Sequence, residues 1–261
     1  MKGNANGNYS HPEIVHYAYL SKSPLWFTFR QYLSVLSVHR FFRPERILLH
    51  ANFAPYGKYW DLAVKITGIE YNYVKRVTHI GGKAFSFSEH EADYAKITQL
   101  LLHGGVTLDF DIIFLNRTKL REEQRRGECV LNCEMSCSKL NIGFLSCVKD
   151  ARFIHDWKEL YLKDFRPREW TYNSGYAPTT MLKKGNYEVI VDPDISQYPD
   201  CPTSRRDWRG TGRRVEWRGK VAAHYYCCRV VPSGEEILDM DTSLGELFRY
   251  IYNYKHEENQ H

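Results

Sequence analysis

The sequence predicts an α/β sandwich with a largely parallel sheet. Three observations carry this. Short β-prone apolar runs alternate with segments of helical spacing from Ile14 to Leu115, the pattern of strands joined by crossover helices. The chain has 261 residues, 43% of them hydrophobic, enough for one large core. No apolar run approaches the roughly 20 residues needed to cross a bilayer.

Ile14 to Leu20 is the first strand, and Ser21-Lys22-Ser23-Pro24 ends it. Trp26 to Phe42 carries Phe29, Leu33 and Leu36 near helical spacing, predicting a helix that stops before Pro44. Arg46 to Ala51 is a second strand. Tyr59 to Thr67 reads as a short helix ending at Gly68, and Tyr71 to Arg76 as a further strand. The next helix opens at Ser88, whose hydroxyl can cap it, with Glu91 at the reciprocal capping-box position. Ala95, Ile97, Leu100, Leu101 and Leu102 supply its core face, and Gly104-Gly105 ends it.

The second half is less regular. Cys129 to Cys133, Asn141 to Cys147, Tyr187 to Val191 and Val221 to Tyr225 predict strands. Ala151 to Leu162 predicts a helix around Phe153, Ile154, Trp157, Leu160 and Tyr161. Thr242 to Tyr254 fits an amphipathic helix with Leu244, Leu247, Phe248 and Ile251 on one face.

The chemistry concentrates in Val106-Thr107-Leu108-Asp109-Phe110-Asp111, which leads into Ile112-Ile113-Phe114-Leu115. On a strand, residues i and i+2 point to the same side, so Asp109 and Asp111 are expected to aim at one point. In open α/β sheets, ligands bind beyond the carboxyl ends of the strands. A pair of hard anionic oxygens suits Mg or Mn, which keeps waters and takes phosphate oxygens as further ligands. A calcium loop would need more oxygens than one Asp-x-Asp supplies.

From Ser88-Glu89-His90-Glu91-Ala92-Asp93-Tyr94-Ala95-Lys96 through Gly104-Gly105 to Asp111 the chain resembles the DXD-containing region of glycosyltransferase family 32. That family includes yeast α-1,6-mannosyltransferases and capsule enzymes. Animal α-1,4-galactosyl- and α-1,4-N-acetylglucosaminyltransferases look similar in this region. The shared pattern is Asp-x-x-Arg on a helix, then Gly-Gly-x-Tyr-x-Asp-x-Asp. Here Lys96 replaces the Arg and Thr107 the usual Tyr. The match runs from Ile14 to Leu115, with weaker echoes at Asn141-Ile142-Gly143-Phe144 and Val221-Ala222-Ala223-His224.

The resemblance implies a GT-A-type nucleotide-diphospho-sugar transferase fold, a Rossmann-like mixed sheet flanked by helices. It implies a metal-dependent, retaining transfer of a hexose or N-acetylhexosamine to a glycan or glycolipid hydroxyl. The donor would be a nucleotide sugar, a UDP-sugar before a GDP-sugar, and the cofactor Mn2+ or Mg2+. Asp109 and Asp111 would be the catalytic pair, with Asp111 the direct metal ligand and Asp109 binding partly or through water and reaching the ribose. His224 would complete the metal site, or else be a packed core residue. Asp93 would hydrogen-bond sugar hydroxyls, and Lys96 would lean toward sugar or phosphate. Gly104 and Gly105 would let backbone approach the donor. His16 and Tyr17 resemble the base-binding edge of the nucleotide pocket, and Asn141 an element near the acceptor. A protein nucleophile could be Glu134, Asp192 or Asp194 by position. The resemblance favours front-face attack, in which the departing phosphate oxygen accepts the acceptor's proton. Lys lacks Arg's two-pronged donor set, so the alternative is a catalytically degenerate module that binds nucleotide sugar or glycan. One catalytic domain is expected over 13–255, with its donor part at 13–116 and its acceptor part at 117–255. A flexible segment at 1–12 and a polar tail at 256–261 would flank it.

Charge and cysteine content add weaker expectations. A net charge of +5 is too mild to imply a nucleic-acid binder on its own, and no nucleic-acid partner is expected. Seven basic residues against two acids crowd Arg205 to Lys220, either a solvated loop or a lid for an anion. Seven Cys are expected to be buried free thiols, with one or two disulfides as the alternative. Asn8-Tyr9-Ser10 and Asn116-Arg117-Thr118 are glycosylation sequons that count only in a lumen. Met1 to Ser10 is polar, unlike a signal peptide. Animal and fungal relatives usually carry an N-terminal anchor and work in the Golgi lumen. The resemblance therefore implies that lumen if an N-terminal anchor has been lost from this chain, and otherwise the cytoplasm.

Overall fold

The computed structural model describes residues 9–134, 137–195, 206–210, 214–226 and 233–253. Its strands are β1 (Ile14–Tyr19), β2 (Arg46–Ala51), β3 (Glu70–Tyr73), β4 (His79–Ile80), β5 (Lys83–Ala84), β6 (Gly105–Leu108), β7 (Ile112–Phe114), β8 (Cys129–Cys133), β9 (Leu140–Cys147), β10 (Val189–Asp192) and β11 (Ala222–His224). Its helices are α1 (Phe29–Ser37), α2 (Lys58–Thr67), α3 (Ser88–His103), α4 (Arg117–Gln124), α5 (Arg152–Lys163), α6 (Ala177–Lys184), the single turn α7 (Glu236–Asp239) and α8 (Ser243–Asn253). Seven strands form one sheet in the order β10-β8-β9-β6-β1-β2-β3. Only β9 runs antiparallel to its neighbours. This is the mixed, mostly parallel sheet that the apolar runs predict.

Alternation along β1 sorts the two faces. Val15 and Tyr17 join the core formed with α1 and α8, while His16 turns to the carbonyl of Gly104 after α3. A second core lies between α3, α5 and the β8–β9 half of the sheet, around Leu100, Leu131, Leu145 and Trp157. No helix among the described residues is long and apolar enough to cross a membrane.

Several elements differ from expectation for local reasons. α1 begins at Phe29 because Thr28 and Gln31 form a capping box there, with Thr28 N donating to Gln31 Oε1 at 2.6 Å. In α3, Phe87 takes the cap position and Ser88 is already helical. Glu91 is drawn away by Arg76, whose Nε donates to it at 2.8 Å. Cys129 pairs with Cys147 and Cys133 with Cys137, which corrects the free-thiol expectation. Cys129 and Cys147 face each other across β8 and β9. Cys201, Cys227, Cys228, the Asn8 sequon and the 256–261 tail lie outside the described residues. Asn116 caps α4 by accepting from Lys119 N at 3.0 Å.

The basic segment is not a loose lid where it is described. Arg218 pairs with Glu246 at 2.6 Å, Lys220 with Asp194 at 2.7 Å, and Arg214 with Asp241. Trp208 and Trp217, interleaved with these cations, are buried in the core. Arg205 and Arg213 lie outside the described residues.

Candidate active site

The sheet order fixes where a ligand can sit. From β1 the chain winds outward through β2 and β3, then returns to β6 on the other side of β1. Such a reversal opens a crevice at the strands' carboxyl ends. A cavity of about 820 Å³ lies there, walled by Ala18, Tyr19 and Leu20 from the end of β1 and by Asp109 and Asp111.

The two acids are in a turn, not on the strand itself. β6 ends at Leu108 and β7 begins at Ile112. Asp109 N–H donates to Gly143 O at 2.8 Å, and Ile112 N–H to Asp109 O at 3.1 Å, closing the turn. Phe110 goes the other way, stacked on Tyr17 at 4.7 Å and edge-on to Phe27 at 5.7 Å. With that ring packed against the core, both carboxylates line the cavity.

His224 arrives from far along the chain. β11 pairs antiparallel with β7, placing His224 opposite Ile112, and Tyr225 N–H donates to Asp111 O at 3.1 Å. His224 Nε2 then stands 3.3 Å from Asp111 Oδ1. Its ring lies parallel to Tyr226 at 3.8 Å. Tyr226 adopts φ +48°, a left-handed conformation that is costly for a bulky residue and holds the two rings together. Asn141 Nδ2 donates to Tyr226 Oη at 3.3 Å, and Asn141 Oδ1 accepts from Gly143 N at 2.8 Å. A Cβ on Gly143 would stand 2.8 Å from Asn141 Oδ1, 3.1 Å from His224 Cε1 and 3.2 Å from Asp109 Oδ2. Glycine is therefore what lets these three side chains meet.

Lys96 lies beneath the pair, 1% exposed. Its Nζ donates to Asp109 Oδ1 at 2.7 Å and to Ile142 O at 3.2 Å, and pairs with Asp93 Oδ1 at 3.0 Å. Burial works against the ammonium, but Asp109 and Asp93 more than offset it, so it is held well above the usual lysine value. Asp109 is pushed up, first by burial at the cavity floor and then by Asp111 and Asp93, while Lys96 opposes the rise.

The donor set fits a hard divalent ion. Asp111 Oδ1 and His224 Nε2, 3.3 Å apart, have the spacing of neighbouring ligands on bonds of about 2.1 Å. Asp109 Oδ2 borders the same space beside Gly143, and His224 Nδ1 has no partner among the described residues. Among those residues, no three His, Cys, Asp or Glu side chains form a ready-made cage. Waters and phosphate would complete the ligand shell, as Mg and Mn commonly allow.

Other expected site residues fall elsewhere. His16 and Tyr17 are 0% exposed, and Tyr17 Oη bonds Ser34 Oγ at 3.0 Å, so neither can stack on a base. The strand end that reaches the cavity is Ala18 to Leu20. Gly104 and Gly105 sit at the start of β6, about 13 Å along the strand from the acids. Their φ values of +66° and +100° let Lys149 and Ile14 backbone pack closely, which is a structural use. Asp192 and Asp194 lie at the end of β10, three strands from β6, about 14 Å away. Asp194 is held by Lys119 and Lys220. Glu134, Asn141 and Asp93 line the cavity, as does Trp170, which no sequence signal singles out. Thr107 is buried in β6.

No family model and no curated protein matches the sequence. Among solved structures, the chain is similar to the apo form of the glycosyltransferase GlyE of Streptococcus pneumoniae TIGR4. The identity is 16%, 94% of this chain and 61% of GlyE are covered, and the TM-score is 0.53. A second GlyE structure gives the same identity and coverage with a TM-score of 0.52. The galactosyltransferase LgtC, in complex with donor and acceptor sugar analogs, is 14% identical, covering 94% of this chain and 98% of LgtC at a TM-score of 0.48. The chain thus shares the GT-A-type fold of GlyE and spans about three-fifths of GlyE's length.

Proposed function

We propose that this chain is a metal-dependent retaining glycosyltransferase of the family 32 type. It would move a hexose or N-acetylhexosamine from a nucleotide sugar, a UDP-sugar in the first instance, to a glycan or glycolipid hydroxyl. The observation that carries this is the meeting of Asp109, Asp111 and His224 at the sheet's switch point, with Asp111 and His224 at 3.3 Å despite their separation in sequence. The likeness to GlyE supports the fold on which such a site is built.

Asp111 and His224 would hold Mn or Mg, with Asp109 beside them. The ion would supply positive charge to a departing diphosphate. Lys96 fixes Asp109 and neutralises part of the acid cluster. Asp93, on the cavity wall, offers its carboxylate to sugar hydroxyls. Tyr226 and Asn141 keep His224 from turning away. Of the carboxylates that could act as a protein nucleophile by position, Glu134 is engaged by Lys139 at 3.0 Å and Asp194 by Lys119 and Lys220. Front-face transfer, with the leaving phosphate oxygen taking the acceptor's proton, needs none.

The test is release of nucleoside diphosphate from UDP- and GDP-sugars with and without Mn. Wild type should hydrolyse at least one donor only with the metal. Asp111→Asn and His224→Ala should each lose about 100-fold or more. Absence of donor hydrolysis and of donor binding in wild type would refute the proposal.

One observation favours a second reading. Lys96 already occupies Asp109 Oδ1, so the site could bind a nucleotide sugar without turning it over. Calorimetric donor binding with no transfer to any acceptor would support that module. The paired cysteines favour an oxidising compartment such as the Golgi lumen over the cytoplasm.

A further inference from the structure

The cavity extends past the acids along the hairpin of β8 and β9. The run from Lys139 to Gly143, at the start of β9, lines it along its whole length. Glu134 N–H donates to Lys139 O at 2.9 Å, so the ladder continues one pair beyond the named strands. Four residues at about 3.4 Å place Lys139 about 14 Å from Gly143. This end lies on the β9 side of the acids, whereas Ala18 to Leu20 lie on the β1 side.

Four side chains define the far end. Glu134 and Lys139 pair at 3.0 Å and are only 16% and 12% exposed. Trp170 is 51% exposed although it lines the cavity wall. Phe87 meets its ring edge-on at 4.9 Å. His90 Nε2 donates to Trp170 O at 3.0 Å, so that nitrogen carries the ring proton. His90 is 1% exposed, lines the same wall, and its Nδ1 has no partner among the described residues. With Nε2 protonated, Nδ1 of the neutral ring is a bare acceptor.

We infer that this end is the acceptor subsite and takes an uncharged pyranose, with Trp170 as its platform. The inference rests on the transferase reading for its role, but its ligand chemistry stands on Trp170, Glu134 and Lys139. A half-exposed indole on the cavity wall offers apolar area to the C–H face of a sugar. The Glu134–Lys139 pair offers acceptors and donors to ring hydroxyls. The pair is electrically neutral and Glu89, next to His90 on the wall, is negative, while the wall's other cation, Arg30, comes from the first turn of α1, so an acidic sugar at this end would meet repulsion.

The test is calorimetry on the full chain with UDP and Mn as one probe. Methyl gluco-, galacto- and mannopyranoside, and methyl glucuronide, are the others. At least one neutral glycoside should bind, and the glucuronide should bind more weakly than its neutral counterpart. Trp170→Ala should weaken that glycoside about ten-fold or more, Trp170→Tyr should retain it within a few-fold, and Glu134→Gln should weaken it several-fold. UDP–Mn affinity should stay within about two-fold in all three variants. Equal glycoside binding by wild type and Trp170→Ala, tighter binding of the glucuronide, or no glycoside binding by a wild type that binds UDP would each overturn the inference. Loss of UDP–Mn binding in wild type, with Trp170-dependent glycoside binding intact, would instead sink the transferase reading and leave the sugar site standing.

Discussion

Replacing His50 with Gln is expected to flatten the acid side of the stability profile. His16 and His50 are buried in the sheet as one hydrogen-bonded file. Gly104 O accepts from His16 Nε2 at 2.9 Å, so His16 Nδ1 is the acceptor for His50 Nε2, also at 2.9 Å. His50 Nδ1 accepts from Asn72 Nδ2 at 2.8 Å. All four ring nitrogens are used by neutral rings, and a further proton would break a bond. Burial lowers His16 to about 4; burial and then the neighbouring His16 lower His50 to about 3, both from 6.5. Folded values below the unfolded one mean that the unfolded chain binds more protons beneath pH 6.5. Stability therefore falls as pH drops through that window. At about pH 5 each ring costs about 2 kcal/mol relative to about pH 8, from 1.36 kcal/mol per unit over about 1.5 units. His11, also lowered by burial, acts in the same direction. Glu123 opposes them: burial, then Asp192, raise it to about 7, so it gains stability as pH falls below that value. Because these contributions overlap, the assay is a difference between two proteins. Urea unfolding of wild type and His50→Gln is compared at about pH 8 and about pH 5. The Gln amide can still donate to His16 but cannot titrate. The variant should be less stable at the higher pH, and the gap should narrow by about 2 kcal/mol at the lower one. A gap of equal size at both pH values would refute the neutral, bonded assignment of His50.

Gly143→Ala would bring a methyl within 3.2 Å of Asp109 and 3.1 Å of His224. Metal-dependent donor hydrolysis should fall about ten-fold or more while the thermal midpoint moves by only a few degrees; unchanged hydrolysis would remove Gly143 from the site. Peptide mapping without reductant should recover Cys129 joined to Cys147 and Cys133 joined to Cys137. Replacing both members of the first pair with Ser should cost about 3 kcal/mol in urea unfolding, given its sequence separation of 18.

Strands β1, β2, β6, β8, β9 and β10 were legible because each is a short apolar run, and β2 and β8 begin and end where those runs do; β3 is exposed Glu-Tyr-Asn-Tyr, and β4 and β5, two residues each, gave no run to read. α4 and α6 were not. α4 is almost wholly polar, with Leu120 and Gln124 as its buried residues, so it has no stripe to read. The residues before α6 form a π-helical turn, Tyr172–Tyr176, with no α-helical period, although Pro178 in the first turn of α6 is a start signal. At the site, Asp109 and Asp111 are conspicuous as a pair. Their convergence depends on Phe110 finding Tyr17 and Phe27 in the core. The far end of the cavity depends on a hairpin and a distant loop meeting, and no local pattern encodes that. The basic run misleads for the same reason: its partners Asp194, Asp241 and Glu246 belong to other parts of the chain.

Lys96 marks the point where this site departs from the Asp-x-x-Arg pattern, and its geometry says what the departure does. Asp109 Oδ1, Asp93 Oδ1 and Ile142 O surround the ammonium at 2.7, 3.0 and 3.2 Å, one acceptor for each of its three protons. Asp93 and Asp109 share this one cation, so together they keep a negative charge to face an ion. Lys96→Met removes the cation but keeps much of the stem's volume. A buried carboxylate left without its partner typically costs about 3–5 kcal/mol; the Asp93 side chain is 10% exposed and that of Asp109 40%, so the loss comes chiefly from Asp93 and the metal-free variant should melt below wild type. The same change releases Asp109 Oδ1 and raises the negative charge facing the ion. Mn should therefore bind the variant about ten-fold more tightly and restore part of the lost thermal stability, because an ion that binds only the folded state stabilises it. Manganese titration followed by electron paramagnetic resonance, with melting curves at matched Mn, reads both effects. Weaker or unchanged Mn binding in Lys96→Met would mean that Lys96 does not compete with the ion for Asp109 and acts only as an internal brace.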